Sequence, residues 1–219
     1  MTTPLLITVD GPAGAGKGTL SKRLAAHFGY AYLDTGKLYR AVGLNTLASG
    51  GDPATPADAT QAARELDAAS IARGGLQNYE LAGEKAAAAA TKVAAIPEVR
   101  DALLSFQREF AANPPGGTNG AILDGRDTGT VVCPDSPAKF FITASAEERA
   151  KRRHKELLDR GETSIYPRVL ADMKERDARD STRAIAPLKA AHDARTIDSS
   201  KMDADSVFAA ALEYIVSVS

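Results

Sequence analysis

Gly11-Pro12-Ala13-Gly14-Ala15-Gly16-Lys17-Gly18-Thr19 stands directly behind the apolar run Leu5-Leu6-Ile7-Thr8-Val9. The run predicts a buried β-strand over Leu5–Val9. The glycines behind it predict a phosphate cradle, because without a β-carbon the backbone can turn its N–H groups inward around an anion. Lys17 adds a mobile point charge for the outer phosphates of a nucleotide. The next segment, Gly16–Phe28, has a helical pattern, so the positive end of its dipole faces the same anion.

Outward from this stretch, apolar runs alternate with helical patterns, as in βαβ units around a parallel sheet. Strands are expected at Leu5–Val9, Ala31–Leu33, Ala121–Leu123, Lys139–Thr143 and Ala194–Ile197. Helices are expected at Gly16–Phe28, Lys37–Ala48, Pro97–Ala111, Ala146–Arg160, Tyr166–Asp180 and Ala204–Val216. Gly and Pro punctuate the chain from Gly50 to Ala90, which reads as an insertion beside the sheet, with a helix-favouring run at Ala86–Ala90. Asn113–Gly120 is expected as a loop into the third strand. Ligands of such sheets lie beyond the carboxyl ends of the strands.

Bulk properties restrict the function. The 219 residues suit one α/β domain with an excursion, and a net charge of −1 argues against bulk binding of nucleic acid. The absence of an apolar run of about 18 residues argues against a membrane span. The lone Cys133 cannot form an internal disulfide, and no Cys/His cluster has zinc-ligand spacing. The expectation is a cytoplasmic protein, monomeric, with no nucleic-acid or membrane partner.

Charge concentrates between Glu147 and Arg183, with eleven Lys/Arg and nine Asp/Glu. One account is a solvated helical face laced with pairs such as Asp172–Arg176 and Glu175–Arg179, each worth about 0.2–0.5 kcal/mol. The other is a basic flap that closes on phosphates. Arg176, Arg179 and Arg183, spaced by three and seven, are expected on one helical face.

A phosphate acceptor needs its own site. Asp34-Thr35-Gly36-Lys37-Leu38-Tyr39-Arg40 follows the second strand: Thr35 reads as a helix N-cap, and Arg40 can fork onto a phosphate. Asp124-Gly125-Arg126-Asp127 ends the third strand at the ligand edge of the sheet.

GPAGAGKGT, DTGKLYR, IPEVR, DGRDTGT and KERDARDSTRAIAPL, in this order from Leu5 to Ile197, resemble the bacterial cytidylate kinase family. The resemblance implies a P-loop NTPase-type three-layer α/β fold with a central parallel five-stranded sheet. Residues 1–219 would form a single kinase domain, with a nucleoside-monophosphate-binding insertion over 50–95 and a short lid over 149–165. It implies transfer of the γ-phosphate of MgATP to CMP or dCMP; another small-molecule kinase, with UMP, AMP or shikimate as acceptor, is the alternative. Gly11, Pro12, Ala13, Gly14, Ala15, Gly16, Lys17, Gly18 and Thr19 would hold ATP, with Arg149 and Arg153 of the lid over its phosphates. Arg40 and Arg126 match the positions that grip the acceptor phosphate, and Thr35 and Tyr39 accompany them.

Thr91, Arg100, Asp127 and Arg183 match the positions that read cytosine, while Arg176 and Asp180 match the pair on the sugar hydroxyls. A carboxylate such as Asp127 accepts from the amino group of cytosine and would face a carbonyl in uracil. Lys17, Arg126 and Arg176 are expected to stabilise the transferring group, and Mg²⁺ to be held by phosphates and water rather than by protein ligands. Relative to the family, the β-hairpin part of the insertion reads as shortened around Leu81–Ala90.

Overall fold

The computed structural model describes residues 6–66, 81 and 83–218. Leu5 of the expected first strand, and residues 67–80 and 82 of the insertion, lie outside the described residues.

Five strands form one wholly parallel sheet: β1 (Leu6–Asp10), β2 (Ala31–Asp34), β3 (Ala121–Gly125), β4 (Ala138–Thr143) and β5 (Arg195–Asp198), in the order β2-β3-β1-β4-β5. Most strands run a residue further toward their carboxyl ends than the apolar runs predict. The added residues are polar (Asp10, Asp34, Asp198), and the ladder rather than hydropathy carries the strand through them.

Helices cover both faces, and alternation along a strand assigns the faces. On β3, Ile122 packs with Ile7, Val9, Leu20, Leu24 and Ile215, while its neighbours Ala121 and Leu123 pack with Leu38, Val42, Val99 and Leu103. The first face is closed by α1 (Lys17–Phe28) and, at the C-terminus, Ala204–Val218. The second is closed by α2 (Thr35–Ala48), α3 (Pro56–Arg64), α4 (Glu84–Val93) and α5 (Pro97–Ala112). Beyond β4 come α6 (Ala146–Asp159) and α7 (Tyr166–Thr182), which pack on each other; the C-terminal helix is thus α8.

Sequence pattern and structure part company in places. Within the insertion the expected helix-favouring run of 86–90 lies inside α4, and a further helix, α3, opens at Pro56. Helix α2 begins at Thr35, two residues early. Thr35 does not cap it: the hydroxyl instead donates to the Asp124 carbonyl oxygen at 2.9 Å, tying the helix start to the end of β3. A five-residue π-turn, Thr128–Val132, follows β3, clamped by Arg108 of α5 on the carbonyls of Val131 and Val132. No described helix is long and apolar enough to cross a membrane.

Candidate active site

The parallel register places three carboxylates at one edge of the sheet, with Asp10 opposite Gly125 and Asp34 opposite Asp124. Asp10 is spent on the turn after β3. One oxygen accepts from the Thr128 N–H (2.9 Å) and hydroxyl (2.8 Å), the other from the Gly129 N–H (2.7 Å). Burial nevertheless raises its pKa to about 6 against the pull of those bonds. Asp124 accepts from the Tyr32 hydroxyl at 3.3 Å, and burial, opposed first by Lys17, lifts it to about 6.

Behind β1 the chain turns through Gly11 (φ 144°), Gly14 (φ 74°) and Gly16 (φ 94°) before α1 begins. At Gly11 the approach is absolute, since a β-carbon would sit 2.0 Å from the Ile142 carbonyl oxygen of β4. Lys17 is buried and donates to the Pro12 carbonyl at 3.0 Å, across the mouth of the loop, while Thr19 is exposed on the first turn of α1. Burial lowers the Lys17 ammonium to about 7; Arg126 and Arg176 press the same way, and Asp124 and Asp34 oppose. The loop lysine therefore lies within electrostatic reach of both arginines.

Those arginines converge on Asp180 of α7, whose side chain is 2% exposed. Arg126 donates to it through Nε at 3.1 Å and to the Gly125 carbonyl through Nη1. Arg183 bonds its other oxygen, and Arg176 Nε lies 3.9 Å away. Burial alone would raise the Asp180 carboxyl; Arg126, Arg183 and Arg176 together pull it below its usual range. Three cations share one carboxylate, so the cluster is positive. Arg176 Nε is buried with no hydrogen-bond partner, and burial with repulsion from Arg126 lowers that guanidinium to about 10. An oxyanion placed here relieves the repulsion and fills the open donor.

A second buried pair stands beside the cluster. Arg100 of α5 bonds Asp127 with its guanidinium carbon 5.6 Å from the centroid of the Tyr39 ring, and it also donates to the Ala94 carbonyl. Arg40 of α2 donates to the Leu81 carbonyl at 3.0 Å. Thr91 on α4 uses its hydroxyl on the Ala87 carbonyl one turn back. Loop, arginine cluster and buried pair thus face one another across the carboxyl edge.

The family model described as cytidylate kinase matches residues 7–217. The chain belongs to the cytidylate kinase family. It is 57% identical over 210 residues to a cytidylate kinase of Paramagnetospirillum magneticum, covering 96% of this chain and 97% of that one. A cytidylate kinase of Rhodospirillum rubrum is 51% identical over 211 residues, with 96% and 97% covered. Among solved structures, an uncharacterized protein from Eubacterium ventriosum aligns with a TM-score of 0.56 at 15% identity over 97% of this chain and 99% of that one, a likeness of fold.

Within this cytidylate kinase fold, the arginines of α6 each have protein partners. Arg149 is buried at the start of the helix, donating to the Ala144 and Ala13 carbonyls and to the Asp177 carboxylate, so its guanidinium points inward. Arg153 pairs with Glu156 at 3.0 Å, and its charge reaches Arg40 across the site. Arg152 donates to Ser199, whose hydroxyl in turn donates to the Ala15 carbonyl of the loop. On α7, Arg176 turns to Asp180 rather than to Asp172, and Arg179 leaves the arginine face to pair with Glu175 at 3.6 Å in solvent. Sequence reasoning passed over Asp10, Asp177 and Ser199 as site-shaping residues. Only Asp10 carried a signal, its place at the end of the first apolar run.

Proposed function

We propose that this protein transfers the γ-phosphate of ATP to CMP or dCMP, releasing ADP and CDP or dCDP. The observation that carries the reading is the mutual reach of Lys17 on the loop and the Arg126–Arg176–Arg183 cluster around Asp180. One cradle suits the phosphates of a donor, and an under-neutralised cationic cluster facing it suits the phosphate of an acceptor. Phosphoryl transfer asks for placement and charge neutralisation, and an acceptor phosphate needs no dedicated base.

Lys17 and the loop N–H groups hold the donor. Arg126 and Arg176 sit where charge develops on the transferring group, and Arg40 reaches toward the acceptor from α2. Asp127, held by Arg100 against Tyr39, supplies a carboxylate for the amino group of cytosine, with Thr91 and Arg183 bordering the base. Arg176 and Asp180 serve the sugar hydroxyls. Residues 149–165 act as a lid over the donor, and 50–95 as the acceptor-binding insertion.

Among the described residues no group of three or more His, Cys, Asp or Glu is arranged to hold a metal ion. The oxygens near the loop are the Thr19 hydroxyl and the Asp34 and Asp124 carboxylates, hard donors that fit Mg²⁺ arriving on nucleotide phosphates and water. When bound, Mg²⁺ neutralises charge on the donor phosphates.

The test is ADP release with MgATP against CMP, dCMP, UMP, AMP and shikimate. The two cytidylates are expected to give the highest kcat/KM. A preference for UMP or AMP over both would overturn the specificity; no acceptor-dependent turnover with any would overturn the transfer itself.

A further inference from the structure

The buried guanidinium of Arg149 joins α6, α7 and the phosphate loop. It donates through Nε to the Ala144 carbonyl at 2.9 Å, fixing it to the strand–helix connection. It donates through Nη1 to the Ala13 carbonyl of the loop at 3.1 Å, and through both Nη atoms to Asp177 of α7. Four of its five N–H groups are thereby committed, all of them to partners outside its own helix. A steric contact runs along the same line. A β-carbon on Gly14 would sit 3.0 Å from the Met173 methyl and 3.2 Å from the Arg149 Cβ, so α6 and α7 press directly on the loop.

Helical spacing gives this contact its consequence. Met173 and Asp177, four apart, form the face of α7 that meets the loop and Arg149. Arg176 and Asp180, also four apart, form the adjoining face that carries the cationic cluster. A shift or rotation of α7 at Asp177 displaces Arg176 and Asp180 with it.

The geometry points to Arg149 and Asp177 as a positioning pair that holds the donor loop and the acceptor arginines of α7 in one frame, rather than as ligands of either nucleotide. The inference rests on the transfer reaction proposed above. A carboxylate at position 177 repels phosphate, and both of its oxygens are already engaged by the Arg149 guanidinium. A positioning pair sets the alignment of two bound substrates, and misplacement by about 1 Å costs on the order of 10²-fold in rate without a matching loss of binding.

The test compares Asp177→Asn, Arg149→Lys and the double variant in steady-state kinetics, and follows amide hydrogen exchange of residues 11–19 in the nucleotide-free proteins. Asp177→Asn is expected to lower kcat by about 10- to 100-fold while the KM values for ATP and CMP stay within about threefold. It should also speed exchange in residues 11–19, although the change lies on α7. The double variant is expected to be no worse than Arg149→Lys. Two results would overturn the pair. In one, Arg149→Lys raises the KM for ATP while Asp177→Asn is silent, which makes Arg149 a phosphate ligand. In the other, Asp177→Asn lowers the melting temperature and leaves both kcat and loop exchange unchanged, which makes the contact only a brace. Asp177 is partly exposed, so its variant carries the test alone should Arg149→Lys fail to fold. If the wild-type chain moved no phosphate to a cytidylate, the transfer reaction would fall while loop exchange still decided the pair.

Discussion

Arg100 and Asp127 close an ion pair in which each side chain is only 9% exposed. Burial pushes Asp127 up, and Arg100, then Arg183, pull it back, so the carboxylate depends on its partner to stay charged. Asp127→Asn leaves a guanidinium buried without its counter-ion, a loss on the order of 3–5 kcal/mol. Urea unfolding is expected to show it, and the ratio of kcat/KM for CMP over UMP should fall at least ~10-fold as the acceptor for the cytosine amino group disappears. An unchanged ratio would remove Asp127 from base reading.

Lys17 gives a pH signature. Its pKa in the free protein is depressed to about 7, chiefly by burial and next by Arg126. A phosphate beside it favours the ammonium. At pH 8 the free protein holds mostly neutral Lys17 and the nucleotide complex the charged form, so binding takes up close to one proton. Calorimetry in two buffers of different ionisation enthalpy measures this, and Lys17→Met should abolish it. The same depression means the unfolded chain binds the extra proton between about pH 7 and pH 10.5, so the stability of the free protein rises with pH across that window. Below pH 7 the buried charge is carried in full, and Lys17→Met is expected to melt higher than wild type at pH 6.

Asp180 is shared by Arg126, Arg176 and Arg183. Asp180→Asn leaves the three cations facing one another. We expect a loss of several kcal/mol in stability, read by denaturant midpoint, and a drop in kcat of at least ~10²-fold. Because the arginines hold this carboxyl below 3.8, its stabilisation is present above that pH and is lost as pH falls below it. The stability gap between wild type and Asp180→Asn should therefore narrow in acid.

Two glycines of the loop separate steric from conformational cost. Gly11→Ala drives a methyl into the Ile142 carbonyl, and a cost above ~4 kcal/mol with loss of nucleotide binding is expected. Gly16→Ala meets nothing within 4 Å and suffers only its φ of 94°, about 1–2 kcal/mol. Equal melting temperatures for the two variants would contradict this.

The strands and the loop were readable because their causes are local: apolar runs, glycines where φ is positive, a lysine at the helix start. The arginine cluster was half readable. Spacing put Arg176, Arg179 and Arg183 on one face and also offered Arg179 to Glu175 and Arg176 to Asp172; the fold keeps the Glu175 pair and turns Arg176 to Asp180 instead. Thr35 shows the limit more sharply. Its position suggests a cap, yet its hydroxyl goes to the carbonyl of Asp124, a partner distant in sequence. Two of the partners of Arg149, the Ala13 carbonyl and the Asp177 carboxylate, are likewise distant in sequence. Composition reports a cation and is silent on whether its partners lie inside the fold.

Helix α6 draws that point out. Each of its five lysines and arginines has a protein partner: Asp177 for Arg149, Glu148 for Lys151, Ser199 for Arg152, Glu156 for Arg153 and Asp159 for Lys155. A nucleotide approaching the loop meets a helix in which four of these five charges already face a carboxylate. Any phosphate contact made there is an exchange of partners, so little attraction extends into solvent and capture is decided at contact. The pull that salt screens therefore comes from the Arg126–Arg176–Arg183 cluster rather than from α6.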